Sequence, residues 1–257
     1  MSVPYRMIDI KTSDEAFKSI IIKYFDDFKK FMKAPDLQCL PINLVDKFDD
    51  LTCAHVKNGI LEVSKMYFIA LKQGAVPVLY HEFTHVYDDT MIISSNDLEK
   101  FGLLTYTEFH ATIVQSMVAS GYTSYYKDKK VASNGKFVDM FDNCTIAEYF
   151  EKLNNINQKI SVDTANIKTS FKSAYYQMLY YFGRMYFAEK YVSDKVHASL
   201  DVFLSIFGEN IIILKDLLFR NDNSNSMLLR LGKIQEQIIQ KFDNEYNNLP
   251  IKPPIRP

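Results

Sequence analysis

Apolar side chains recur every three or four positions through "SDEAFKSIIIKYFDDFKKFMK", residues 13–33, where Phe17, Ile20, Ile21, Tyr24, Phe28 and Phe31 share a face. The spacing predicts an amphipathic helix, with Ser13 as its N-cap, acids in its first turn and Ala34-Pro35 as its stop. The texture then changes. "LTCAHVKNGILEV", Leu51 to Val63, places two short apolar runs around Asn58-Gly59, a β-hairpin signal because both turn residues tolerate positive φ. "SKMYFIALKQG" follows as a short helix capped by Ser64 and closed by Gly74. Pro77 suits a first helical turn, so a further helix is expected from about Val76 to Asp89.

Helical patterning resumes in "SSNDLEKFGLLTYTEFHATIVQSMVASG", which ends at Gly121, and "YKDKKVASNGK" reads as a loop. From Ile146 onward the chain is mostly helical: "TIAEYFEKLNNINQKI", "TSFKSAYYQMLYYFGRMYFAEKYV", "HASLDVFLSIFG" and "MLLRLGKIQEQIIQKFDNEY". "RNDNSNS" is a loop, and "LPIKPPIRP" an extended tail. The tyrosines and phenylalanines from Phe171 to Tyr191 resemble a ligand box, but at helical spacing they read as core.

Bulk composition narrows the function. The chain has 257 residues, 47% of them apolar, with a net charge of −1. There is ample core material and no basic excess of the kind a nucleic-acid surface needs. No run is apolar enough for a membrane span, and no signal peptide is evident at the N-terminus. Three widely spaced cysteines, Cys39, Cys53 and Cys144, fit the reduced thiols of a cytoplasmic protein better than a disulfide framework.

The candidate chemistry lies in "VLYHEFTHVYDD", Val78 to Asp89. Residues four apart on a helix share a face, so His81 and His85 can direct both imidazoles at one metal ion. Glu82, offset by one residue, misses the metal but borders a bound water whose proton it can take. Two histidines in so apolar a helix need partners, and a metal is one. A catalytic zinc needs a third protein ligand. An HExxHxxGxxH extension is absent, since Asp88 and Met91 stand at the Gly and His positions. Glu108, 23 residues after His85 on a separate helix, is the best candidate, with small Ala111 and Thr112 one turn on. Asp88, Asp89 and His110 are rivals. The aspartates point along the same helix and suit a role as acceptor for a ligand N–H. His110, two residues from Glu108, faces away from a Glu108 site. Tyr87, Tyr106, His197 and the Tyr175–Tyr181 group are candidates for stabilising an oxyanion. His55 reads as a surface residue of the hairpin.

HExxH with a later helical glutamate resembles the gluzincin arm of the zincin metallopeptidases. "NGILEVSKMYFIALKQGAVPVLYHEFTHVYD" is similar in layout to the ImmA/IrrE-like bacterial and phage peptidases. In those a strand, a short helix and the metal helix come in succession, and a later E-x-x-A supplies the third ligand; Glu108 and Ala111 match it. The likeness covers about residues 50–120 and departs at Thr84, where many such families have Gly. It implies a zincin-like α+β fold, mostly helical, with a small sheet or hairpin before the metal helix. It implies Zn²⁺ on His81, His85 and Glu108 with Glu82 as catalytic base. It also implies that Ile60, Leu61, Glu62 and Val63 form a sheet edge pairing with an extended substrate; a purely structural hairpin is the alternative. Residues 1–140 would hold the catalytic core with the N-terminal helix, and 141–257 a helical part packed on it as one unit. The expected function is a zinc-dependent metallopeptidase acting on a protein or peptide. The alternatives are a zincin-fold binding or regulatory module without turnover, and a helical interaction protein with no metal.

Overall fold

A computed structural model describes residues 14–46, 53–57, 59–72, 75–127, 129–139, 142–162 and 167–245. The elements run α1 (Asp14–Met32), β1 (Ile42–Val45), β2 (Ala54–Lys57), β3 (Ile60–Ser64), α2 (Tyr67–Lys72), α3 (Val76–Met91) and α4 (Asp97–Ala119). They continue with β4 (Lys136–Val138), β5 (Asn143–Thr145), α5 (Ile146–Asn157), α6 (Ile167–Tyr191), α7 (Asp201–Phe207), α8 (Asn210–Leu218) and α9 (Asn225–Glu245). The fold is mostly helical with a small sheet, the α+β class. No helix among the described residues is long and apolar enough to cross a membrane.

α1 forms where its periodicity predicts, and buries Phe17, Ile21, Phe25, Phe28 and Phe31. Three edge-to-face ring contacts tie it to α3: Phe25 on Phe83 at 5.0 Å, Phe28 on Tyr80 at 5.4 Å and Phe31 on Tyr80 at 5.5 Å. Such pairs contribute about 0.5–1.5 kcal/mol each beyond the area they bury. They fix the face of α3 that carries Tyr80 and Phe83, and so turn His81 and His85 toward the interior of the chain.

α4 is the central helix. From Thr105 to Val114 every side chain is buried, because α3, α6 and α9 all pack around it. Asn96 caps it by accepting the Glu99 amide at 3.0 Å, while the Glu99 carboxylate accepts the Ser95 amide at 2.6 Å. The approach of α6 is unusually close at one point. A methyl group on Gly183 would stand 2.7 Å from the Phe109 carbonyl oxygen and 2.7 Å from Thr112 Cβ. Glycine there lets α6 lie against the turn of α4 that follows Glu108.

The hairpin is present, with Gly59 at φ +73° in its turn; Asn58 lies outside the described residues, as do Ser13, Gly74 and the proline-rich tail. The sheet differs from the expectation in one consequential way. Its strand order is β1-β3-β2, with β1 parallel and β2 antiparallel to β3. Ile60 to Val63 therefore form the middle strand, whose backbone pairs with Ile42–Val45 on one side and Ala54–Lys57 on the other. The edge role expected of Ile60, Leu61, Glu62 and Val63 does not hold. The cause is "INLV", a run of four residues after Pro41, too short to announce a strand by pattern. A polar rung crosses all three strands: Asn43 Nδ2 donates to Glu62 Oε1 at 3.1 Å, and His55 Nε2 meets Glu62 Oε2 at 2.8 Å. These contacts hold the Glu62 carboxyl below its ordinary range, the Asn43 hydrogen bond contributing most.

Smaller differences are local. Ser64 ends β3 instead of capping α2, its hydroxyl accepting the Met66 amide at 3.3 Å. The expected loop ends at Lys136, where an unexpected β4–β5 ribbon begins, and this leads into α5 through a Thr145–Glu148 capping box. α8 has no counterpart in the expected elements, since "NIIILKDLL" lacks a clean polar face. Cys39, Cys53 and Cys144 form no disulfide.

Candidate metal centre

α3 and α4 pack side by side, and three of their side chains converge. His81, His85 and Glu108 place ligand atoms within 4.8 Å of one another, all three residues being buried. His81 Nε2 lies 3.5 Å and His85 Nε2 3.6 Å from the same oxygen, Glu108 Oε2. Good hydrogen bonds to a carboxylate are shorter, about 2.7–2.9 Å. The spacing instead matches the edge of a tetrahedron: ligand atoms about 2.0–2.1 Å from one ion stand roughly 3.4 Å apart. The donor set, two imidazole nitrogens and one carboxylate oxygen, can hold a metal ion. Pro77 in the first turn of α3 and Asn96 ahead of α4 start the two helices that carry it.

The surroundings orient the ligands. His85 Nδ1 meets Thr107 Oγ1 at 2.8 Å. With Nε2 given to a metal, Nδ1 carries the proton and the threonine oxygen accepts it, fixing the tautomer. His81 Nδ1 is buried with no hydrogen-bond partner among the described residues. Its ring is held by packing, edge-on to His85 at 4.8 Å and to Tyr180 at 5.7 Å. Thr107 gave no signal in the sequence, because its meeting with His85 depends on how two helices cross. The expected consequence is that Thr107→Val lowers metal affinity about 10–100-fold, whereas Asp89→Ala, at an exposed position, leaves it unchanged. Titration against a chromophoric chelator reads both.

Glu82 is half-buried beside the group, near two phenols. Burial, then the charges of Glu108 and Glu82, raise the Tyr180 hydroxyl well above its usual value. Tyr180 thus keeps its proton at neutral pH and remains an O–H donor. Glu82 also contributes to the raised hydroxyl of Tyr67, which burial dominates; that hydroxyl donates to the Ala75 carbonyl at the head of α3.

The other expected residues fall elsewhere. Asp88 does not serve a metal ligand: both its oxygens face His110 Nδ1, at 2.9 and 3.0 Å. His110 indeed turns away from Glu108, into a cage with Tyr106 at 5.5 Å, Tyr125 at 5.2 Å and Tyr87 at 6.3 Å. Tyr87 and Tyr106 belong to that cage, and the Tyr106 hydroxyl donates to Asn221 Oδ1 at 3.3 Å. His197 lines a separate cavity of about 440 Å³ between α5 and residues 195–202, none of whose walls is a residue of the histidine–glutamate group. Within the Tyr175–Tyr181 stretch, Tyr175 and Tyr181 are core and Tyr180 alone is placed against His81. No family model, no curated protein and no solved structure matches this chain.

Proposed function

We propose that the protein is a zinc-dependent metallopeptidase with a zincin-like core. The observation that carries the reading is the convergence of His81 Nε2 and His85 Nε2 on Glu108 Oε2, each at tetrahedral-edge spacing from it, with Glu82 next to His81 in the sequence and outside the set. Two histidines and one carboxylate favour zinc over harder cations such as Mg²⁺ and Ca²⁺, which prefer all-oxygen sites. Bound zinc would supply a Lewis acid that lowers the pKa of a water and polarises a carbonyl. The remaining work belongs to the chain. Glu82 takes the proton of the attacking water and passes it to the leaving amine. Tyr180, kept protonated, donates a hydrogen bond to the oxygen on which negative charge develops. Thr107 holds His85 in the productive tautomer. An extended peptide is accepted along the sheet edge that packs against α3, which is β2, Ala54–Lys57.

The test is to incubate the zinc-loaded protein with a mixed peptide pool and identify new termini by mass spectrometry. New termini that vanish on chelation, and fall about 10²–10³-fold in rate in Tyr180→Phe with zinc content intact, are expected. A zinc-loaded protein that produces none favours a binding module built on the same group.

A further inference from the structure

We propose that Arg184 anchors a carboxylate of the substrate, so that the site selects peptides with a negative charge near the scissile bond. The inference rests on the peptidase reading and adds a substrate class to it. Arg184 follows Tyr180 by four residues on α6, and so projects from the same face one turn on. Its guanidinium carbon lies 5.9 Å from the centre of the Tyr180 ring and 5.7 Å from that of Tyr149. Tyr180 in turn stands edge-on to His81. The cation therefore sits two ring contacts from a metal-binding imidazole, within about three extended residues at roughly 3.5 Å each.

What marks Arg184 is the absence of an acid. It is half-buried against two aromatic rings, yet no carboxylate lies within ion-pairing distance of it among the described residues. Three acids of this region, Asp139, Asp142 and Glu108, are engaged by other groups, and Glu82 makes no ion pair with Arg184 among the described residues. Asp139 accepts from Gln115 Nε2 at 2.7 Å, Asp142 pairs with Lys152 at 3.0 Å, and Glu108 faces the two histidines. A guanidinium against two rings has lost part of its hydration, and cation–π attraction together with a hydrogen bond to the Tyr149 hydroxyl leaves most of its five donors for a further partner. Its planar fork of donors fits a carboxylate through two parallel hydrogen bonds, which Lys cannot reproduce. Contact with the two rings and the hydrogen bond to Tyr149 restrain the guanidinium, and so restrict where such a carboxylate can lie. That carboxylate can be the C-terminus of a short peptide or an aspartate or glutamate side chain.

The test uses the zinc-loaded full chain and four peptide hydroxamates that share one metal-binding head. One ends in a free carboxylate and its twin in an amide; the other two are amides carrying Glu or Gln at the same position. Affinity is measured by calorimetry. At least one acidic probe is expected to bind about 10–100-fold more tightly than its neutral twin, as charge-assisted hydrogen bonds allow. Which pair shows the ratio distinguishes a C-terminal carboxylate from a side-chain one. In Arg184→Gln the ratio should fall to near one while the neutral probes bind as before; Arg184→Lys should restore only part of it. Equal binding of both pairs to the unaltered protein overturns the proposal whatever the variants do, as does a ratio that survives in Arg184→Gln. If even the neutral hydroxamates fail to bind, the peptidase reading itself falls, and the Arg184 proposal with it.

Discussion

Glu82→Gln should retain zinc and fold while losing peptidase activity by about 10²–10⁴-fold, the usual contribution of a general base. Gln keeps the shape of Glu but cannot accept a proton near neutral pH. Glu82 lies outside the converging ligand set, so metal content should not change. Its charge nonetheless reaches the hydroxyls of Tyr180 and Tyr67, adding to the rise that burial causes in both. Single-turnover rates on a peptide found in the termini screen, with zinc measured on the same samples, are the check. A variant that cleaves at the original rate removes Glu82 as the base. One that loses zinc along with activity makes it a ligand.

The largest effect on stability is expected at Asp88. Its side chain is fully buried and its two oxygens face His110, 3% exposed, across the α3–α4 interface. Removing one member of a buried, hydrogen-bonded polar pair strands the other, at a cost of about 3–5 kcal/mol. Asp88→Ala should therefore lower the melting temperature on the order of 10 °C, and Asp88→Asn, which keeps an acceptor for the imidazole, by clearly less. Because α3 carries His81 and His85 while α4 carries Glu108, this contact also sets the register of the two helices at the candidate metal centre. Denaturant unfolding of the three proteins reads the cost. If Asp88→Ala unfolds at the original midpoint, the pair contributes nothing to joining the helices.

Local geometry was legible in the sequence, and long-range geometry was not. The pairing of His81 with His85 follows from helical spacing alone, and Pro77 marked the start of their helix. Glu108 could be reached because it lies on the next helix, where a short connection forces the chain to reverse against α3. Thr107, one position earlier, was invisible, since its contact with His85 depends on the angle at which α4 crosses. Tyr180 and Arg184 lie some seventy residues beyond Glu108, in an aromatic run that helical periodicity assigns to the core; the Tyr175–Tyr181 group is an oxyanion candidate in the sequence, but nothing there singles out Tyr180 or points to Arg184. Most of that run is core, and the exceptions arise because Gly183 lets α6 press onto α4 beside the histidines. The strand Ile60–Val63 is legible along the chain, but its central place in the sheet is not, because its parallel partner, Ile42–Val45, gives four residues of weak pattern. Asp88 lay on the metal helix in the sequence, yet its direction around that helix sends it to His110.

The central claim is that His81, His85 and Glu108 together hold one zinc ion. Elemental analysis of the purified chain, beside His81→Ala/His85→Ala and Glu108→Ala proteins shown to be folded by circular dichroism, tests it most directly. About one zinc per chain is expected in the unaltered protein, none in the double variant, and a strongly reduced content in Glu108→Ala. Full metal content in the double variant, or a folded unaltered chain that takes up no zinc when it is offered, would contradict it.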